Sequence, residues 1–108
     1  MSDLIAQMRA ANAKIEMKKV HVDLYGWDLY FPPMSLKDRA AIRSGIDLND
    51  DAEVIISGIM HMAKKEDGSN FFEDTPAMRA ALHEVPWDVL TYIDLESSHD
   101  FQAKAKKA

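Results

Sequence analysis

The apolar segment over residues 52–64 is the part of the sequence that most restricts how the chain can fold. Asp50 supplies an N-cap, Glu53 stands at the capping-box position, and the helical pattern runs unbroken to a stop at Gly68. Its polar residues form one narrow stripe, and the others are apolar: Val54, Ile55, Ile56, Ile59, Met60, Met62 and Ala63. A helix that is apolar on most sides belongs at the centre of a core or beneath a partner.

The length of the chain allows one such core. A chain of 108 residues typically forms a single domain. There is no cysteine, so stability has to come from packing, and folding in the cytosol fits best. No apolar run approaches the roughly 20 residues that cross a bilayer, and no signal-peptide core is present, which argues against a membrane location. We expect one domain over residues 1–96 and a flexible basic tail over residues 97–108.

The period of the apolar residues changes beyond Lys18. Apolar residues occupy alternate positions in two short runs: Val20, Val22 and Leu24, then Trp27, Leu29 and Phe31. This pattern predicts two strands joined by a turn at Tyr25-Gly26. A lone hairpin is only marginally stable in water, so it should pack on helices or pair with another chain.

Capping residues and helix breakers mark four further helices. These are a short amphipathic helix over residues 3–12, a polar helix from Ser35 to about Gly45, a helix that Thr75-Pro76 opens and Pro86 ends, and a last helix with Trp87, Leu90 and Ile93 on one face. Gly58, in the middle of the central helix, suggests that another element packs closely there. The predicted fold is α+β, mostly α: a small N-terminal β-hairpin packed on a bundle of about four to five short helices.

Charge is distributed unevenly along the chain. The net charge is −5, residues 1–19 carry four basic against two acidic side chains, and residues 97–108 carry three against one. Each end is therefore +2 and the middle of the chain is −9. An acidic body repels phosphate backbones, which argues against nucleic acid as the main partner.

Residue spacing gives little support to catalysis or to metal binding. Asp47, Asn49 and Asp51 alternate as in a calcium loop, but Ala52 stands where that loop needs glycine and Gly58 where it needs a carboxylate. The histidines lie on different predicted elements, without the i, i+4 spacing of a zinc helix: His21, His61, His83 and His99. Glycine-rich phosphate loops and the GxSxG elbow are absent from the sequence. We predict no catalytic, cofactor-binding or metal-binding residue.

Apolar surface in excess is what remains for function. The seven methionines either fill irregular gaps in the core or form a surface that adapts to varied partners. The cluster of Tyr25, Trp27 and Tyr30 is likewise either hairpin packing or an interface anchor. On apolar character and expected exposure, we select these candidate partner-binding residues: Tyr25, Trp27, Tyr30, Ile56, Met60, Met62, Phe71, Phe72 and Trp87.

The order of these elements resembles a known family over residues 20–96. The sequence runs through V-H-V-D-L-Y-G-W-D-L-Y-F, S-L-K-D-R-A-A-I-R-S, E-V-I-I-S-G-I-M-H-M-A, K-K-E-D-G-S-N-F-F-E-D and P-A-M-R-A-A-L-H-E-V-P-W-D-V-L-T-Y-I. It is similar to the tail assembly chaperones of long-tailed bacteriophages. These proteins share a glycine-tryptophan hairpin, a polar Asp-Arg helix, an apolar helix, a Lys-x-x-x-Gly-x-x-Phe-Phe link and a closing helix.

This resemblance implies a binding protein rather than an enzyme. Its partners would be the tape measure protein, which it keeps soluble, and the major tail protein, which it helps to recruit. It would act in the host cytoplasm, be absent from the finished virion, and form a homo-oligomer, as a ring or a spiral. The family commonly makes a longer form by a programmed ribosomal frameshift, and the ending Lys106-Lys107 is of the kind that adenine-rich slippery codons encode.

Two other functions fit parts of the same sequence. The first is a small acidic regulatory or inhibitor protein that acts by protein–protein binding through its negative body. The second is a small hydrolase or metal-dependent enzyme that uses His61 or His83 with nearby carboxylates.

Overall fold

The computed structural model describes residues 2–99, and over that range the chain forms five helices and a two-stranded antiparallel hairpin. The elements are α1 (Ser2–Ala13), β1 (Lys18–Val22), β2 (Trp27–Phe31), α2 (Leu36–Arg43), α3 (Asp51–Met62), α4 (Pro76–Leu82) and α5 (Trp87–Glu96). The predicted class, mostly α with an N-terminal hairpin, is confirmed. None of the helices in this range has the length and apolar content that crossing a bilayer requires.

Helix α3 lies at the centre of the fold. Helices α2, α4 and α5 all pack against it, and Ile56 on its inner face is fully shielded from solvent. Asp50 caps its first turn, as predicted, by accepting hydrogen bonds from the backbone amides of residues 52 and 53. The capping-box role predicted for Glu53 is wrong, because its carboxylate instead contacts Arg79 and His83 and so ties α3 to α4.

The hairpin packs on the helices through one face. Val20 and Val22 of β1, and Leu29 and Phe31 of β2, are all buried, and β1 contacts α5. The turn is longer than predicted: Val22 pairs with Trp27, so residues 23–26 form the loop, and Gly26 adopts a φ of +66°. Leu24 therefore lies in the turn and is largely exposed, because the strand pairing ends two residues before it.

Backbone hydrogen bonds join the hairpin to the end of α3. Tyr30 and Lys64 exchange two N–H···O=C bonds of 2.9 and 2.8 Å. Lys64 also bridges to Asn70, which turns the chain back toward the hairpin after α3. The segment that follows α3 is therefore held close to the strands rather than left in solvent.

Side-chain caps open the two shorter core helices where the sequence predicts them. Ser35 and Asp38 form a reciprocal capping box at the start of α2. Thr75 accepts from the backbone amide of Met78, and Pro76 occupies the first turn of α4. These contacts satisfy amide groups that the helices themselves leave unpaired.

Helix α1 lies outside the core. Every side chain of residues 3–14 is exposed, including the apolar side chains Leu4, Ile5 and Met8. The helix connects to β1 through residues 14–17, of which Ile15 and Met17 are partly buried. The body of the molecule is thus complete without α1.

Part of the predicted tail falls within the described range. Lys18 donates from Nζ to the carbonyl oxygen of Ser98, and Nε2 of His99 lies 2.7 Å from the carbonyl oxygen of Phe31. Residues 97–99 therefore lie against the hairpin. The rest of the predicted flexible tail, residues 100–108 with Lys106-Lys107, lies outside the described residues.

Gly58 faces α2, but the approach is less close than its sequence position suggests. A Cβ atom at this position would lie 3.9 Å from Cγ2 of Ile42, which is an ordinary van der Waals contact. Packing therefore has room for a methyl group, and the glycine is not required by the fold.

Replacing Gly58 with alanine is expected to stabilise the protein by about 0.5–1 kcal/mol, because alanine favours a helix interior and its methyl group fits beside Ile42. The measurement is the free energy of unfolding in urea near neutral pH. Gly26→Ala is the matched control: at its positive φ, an added side chain should cost roughly 1–2 kcal/mol. If the Gly58→Ala protein were less stable than the parent, the space for a methyl group between Gly58 of α3 and Ile42 of α2 would be contradicted.

Candidate functional site

An open cleft lined mainly by apolar side chains lies between the hairpin turn and α4. We call it the aromatic cleft, and its volume is about 320 Å³. Tyr25 and Trp27 form one wall, with stacked rings whose centroids are 4.4 Å apart. The lining residues are Tyr25, Trp27, Phe71, Phe72, Met78, Ala81, Leu82, Glu84 and Val85.

The aromatic rings of the cleft hold one another in place. Trp27 meets Phe71 and Phe72 edge-on at centroid distances of 5.9 and 5.3 Å, and the two phenylalanines meet edge-on at 4.9 Å. Edge-on contacts of this kind each contribute about 0.5–1.5 kcal/mol beyond the burial of area. Phe72 is 4% exposed and Tyr25 is 41% exposed, so the cleft has a fixed floor and an accessible rim.

Local chain geometry explains why these residues meet. The backbone amide of Phe71 donates to the carbonyl oxygen of Ala63, which brings the segment after α3 against the hairpin. The cap at Thr75 then sets the start of α4, so that Met78 and Leu82, one helical turn apart, both face the cleft. The cleft is thus assembled by the segments that flank α3.

Five of the nine predicted partner-binding residues are at least partly exposed, and a sixth, Phe72, is buried but lines the cleft. The aromatic cleft brings together Tyr25, Trp27, Phe71 and Phe72. Tyr30 lies on the opposite face of β2 from Trp27, and Trp87, at the start of α5, is half exposed and does not line the cleft. These two residues therefore do not belong to the same surface.

The exposure expected of four predicted partner-binding residues is wrong. Ile56, Met60, Met62 and Phe72 are at most 6% exposed and belong to the core. The reason is that α2, α4 and α5 cover α3 within the same chain, so that little of the three α3 side chains reaches the surface. Phe72 still contributes to the cleft, as its floor.

Sequence reasoning missed the α4 side of the cleft. Met78, Leu82 and Val85 line it, although none of them is among the nine candidate partner-binding residues. Their i, i+4, i+7 spacing is the signal that places them on one face of the helix and the residues just after it. The same spacing is typical of core residues, so it predicts a common face but not the exposure of that face.

The cleft carries negative charge at its edge. Glu84 is exposed and is the only charged side chain that lines the cleft within residues 2–99. Arg79 of α4 has its guanidinium 3.4 Å from Glu53 and is engaged there. A partner that places apolar side chains in the cleft and a cation at its edge would therefore match it.

Three histidines pair with carboxylates that lie on a neighbouring element or strand. The N···O distances are 2.7 Å for His21–Asp28, 3.2 Å for His61–Asp38 and 2.8 Å for His83–Glu53. The pairs link β1 to β2, α3 to α2, and the end of α4 to α3. Each pair therefore has a structural role between two parts of the fold.

The hydrolase alternative invokes His61 or His83 with nearby carboxylates, and each of these histidines pairs with one carboxylate, Asp38 or Glu53. His61 lines a polar cleft of about 310 Å³ together with Lys64 and Arg79, whereas His83 does not line it. No group of three side chains suited to hold a metal ion occurs in the described part of the chain. That the protein is not an enzyme stays a prediction.

Asp38 is a carboxylate on which several contacts converge. The Ser35 backbone amide, followed by His61 and the Ser35 hydroxyl, lowers the pKa of its carboxyl below the usual value, although partial burial opposes this. Because the pKa is lowered in the folded state, ionised Asp38 contributes stability above its unfolded pKa of about 3.9. That contribution is lost as the pH falls through the lower, folded pKa.

Replacing Asp38 with alanine is expected to reduce the free energy of unfolding by about 1 kcal/mol near neutral pH, because the carboxylate half of the α2 capping box and the link to His61 are lost, while the Ser35 hydroxyl keeps its bond to the backbone amide of residue 38. The difference from the parent should shrink once the pH is well below the usual carboxyl pKa. Urea unfolding across an acid pH series measures it. Glu73→Ala, at an exposed position, is the control and should change stability by less than about 0.5 kcal/mol. A pH-independent difference for Asp38→Ala would contradict the stated role of its charge.

Comparisons with protein-family models, with curated proteins and with solved structures found no match for this chain. The interpretation of the aromatic cleft therefore rests on its geometry and on the motifs quoted from the sequence.

Proposed function

We propose that this protein is a tail assembly chaperone of a long-tailed bacteriophage. In this role it binds the tape measure protein, keeps it soluble, and helps to recruit the major tail protein while the tail tube assembles. It does so without catalysis, in the host cytoplasm, and is absent from the finished virion. The observation that carries the proposal is the aromatic cleft, an apolar surface that the chain forms and leaves open. The choice of partner comes from the sequence resemblance.

A partner helix is the occupant that the cleft suits best. In the helix-in-groove mode, apolar side chains spaced one turn apart enter a groove, and the polar side of the helix stays in water. Here the rings of Tyr25, Trp27 and Phe71 offer flat contact area that is already ordered by stacking. Met78 adds a flexible side chain that adapts to different partner residues. Repeated apolar stripes of a long helical protein could be covered one after another in this way.

Coating a long helical rod requires many copies of the chain. Head-to-tail contacts between copies generate a ring or a spiral, and either arrangement would place successive clefts along the rod. A longer, frameshifted form of the protein would add a segment beyond Lys106-Lys107 for contact with the major tail protein.

An acidic regulatory or inhibitor protein is the second candidate. The excess negative charge in the middle of the chain favours it, because exposed acidic side chains attract a basic partner. Salt separates the two functions: binding through exposed charges weakens steeply as salt is added, whereas binding through the aromatic cleft does not.

Replacing Tyr25 with alanine is expected to weaken binding of the tape measure protein at least tenfold, because the exposed wall of the cleft is lost while its floor stays buried. The experiment co-expresses the chain with its tape measure protein and follows co-elution by size-exclusion chromatography with light scattering. Tyr92→Ala is the matched control, since Tyr92 is similarly exposed but lies on α5 and does not line the cleft.

The parent and Tyr92→Ala proteins should co-elute with soluble tape measure protein, and Tyr25→Ala should not. If the tape measure protein stays insoluble with the parent chain, the proposed function is wrong. If Tyr25→Ala binds as well as the parent, the partner binds elsewhere on the chain.

A further inference from the structure

Helix α1 presents apolar side chains that nothing in the described part of its own chain covers. Leu4, Ile5 and Met8 are 58%, 47% and 57% exposed. At helical spacing they form one stripe, and Arg9 follows at its edge. An isolated helix of 12 residues is marginal in water, so contact with another surface would stabilise it.

A second cleft, also lined mainly by apolar side chains, lies beside Phe31, at the end of β2 farthest from the hairpin turn. We call it the terminal cleft; its volume is about 380 Å³ and its walls include Phe31, Pro33, Met34, Ile59 and Met62. Asp94 of α5 also lines it. Most of this lining is apolar, and Met34 is more than half exposed.

Within residues 2–99 the carboxylate of Asp94 makes no hydrogen bond or ion pair. Asp94 is an exposed residue, but nearby atoms partly desolvate its carboxyl, which raises the pKa above the usual value. A carboxylate in such a place is stabilised by a cation that arrives with an apolar surface. Among the described residues, the terminal cleft therefore combines open apolar walls with a carboxylate that makes no hydrogen bond or ion pair.

We propose that α1 of one chain docks into the terminal cleft of a second copy. Leu4 and Met8 then cover the apolar walls, and Arg9 at the edge of the stripe pairs with Asp94. The charged side chains of α1 are Asp3 and Arg9, and Arg9 is the one that lies next to the stripe. Since each copy offers one helix and one cleft, the contact is head-to-tail and generates a ring or a spiral.

The connection between α1 and the hairpin favours a second copy over the chain's own cleft. Ile15 and Met17 are partly buried, so the linker of residues 14–17 is held against the body while the stripe of α1 faces solvent. A second copy meets that stripe without rearrangement. In the described structure the stripe does not occupy the chain's own cleft, since Leu4, Ile5 and Met8 are exposed.

This inference supplies a contact for the self-association that belongs to the proposed function. It needs no tape measure protein, so it is tested on the purified full chain alone. The aromatic cleft takes no part in the contact, because the two clefts have no lining residue in common.

The test measures molar mass by light scattering over a range of protein concentrations. The parent mass should rise with concentration, and Met8→Asp should shift the association at least tenfold toward the monomer. Ala6→Asp, which places the same charge on the opposite side of α1, is the matched control and should associate like the parent. Far-ultraviolet circular dichroism checks that each variant keeps its helices.

A charge exchange tests the orientation of the contact. Arg9→Glu and Asp94→Arg should each weaken association, and the double variant should restore it toward the parent level. The inference is overturned if the parent protein stays monomeric at every concentration. This includes the case in which α1 folds onto the cleft of its own chain. Equal effects of Met8→Asp and Ala6→Asp, or no restoration by the double variant, overturn it as well.

Failure of this inference and failure of the proposed function give different results. Monomeric Met8→Asp protein that still co-elutes with the tape measure protein supports both proposals. If the molar mass of the parent protein rises with concentration but the protein never binds the tape measure protein, the α1 contact is supported and the chaperone function is contradicted.

Discussion

Burial of α3 is the requirement on which the rest of the structure depends. This helix is apolar on most of its sides, so a single neighbour cannot remove it from water. Helices α2, α4 and α5 each take one side, and the hydrogen bonds between Tyr30 and Lys64 bring the hairpin to its end. Once α3 is covered, most of the large apolar side chains that stay exposed lie at the periphery, in α1, in the hairpin turn, at the start of α2 and on α5.

This division between centre and periphery has consequences for binding. A partner that needed the inner face of α3 around Ile56 would have to unfold the core, whereas the aromatic cleft is available in the folded monomer. Its floor is shared with the core through Phe72 and Leu82, and its rim is formed by Tyr25 and Met78. Binding there would therefore require little ordering of the protein, which lowers the entropic cost of association. The proposed contact between copies uses a separate surface, on α1.

The fold was predictable from the sequence because its signals are local. The Ser35 and Thr75 caps, the alternation before Phe31 and the long apolar helix each act within a few residues. Exposure is different, because it depends on elements distant in the chain. Met60 and Tyr25 both suggested partner contacts, but α3 is enclosed by other helices while the turn is not. The α4 contribution to the cleft was missed for the same reason, since the spacing of Met78 and Leu82 also fits a buried face.

The most direct measurement of the central claim is hydrogen exchange, followed by mass spectrometry, on the chain alone and in complex with its tape measure protein. The account predicts that binding slows amide exchange at residues 23–27 and 71–85, which surround the aromatic cleft, and leaves α2 unchanged. Slowed exchange confined to α2, or no change around the cleft in a stable complex, would contradict it.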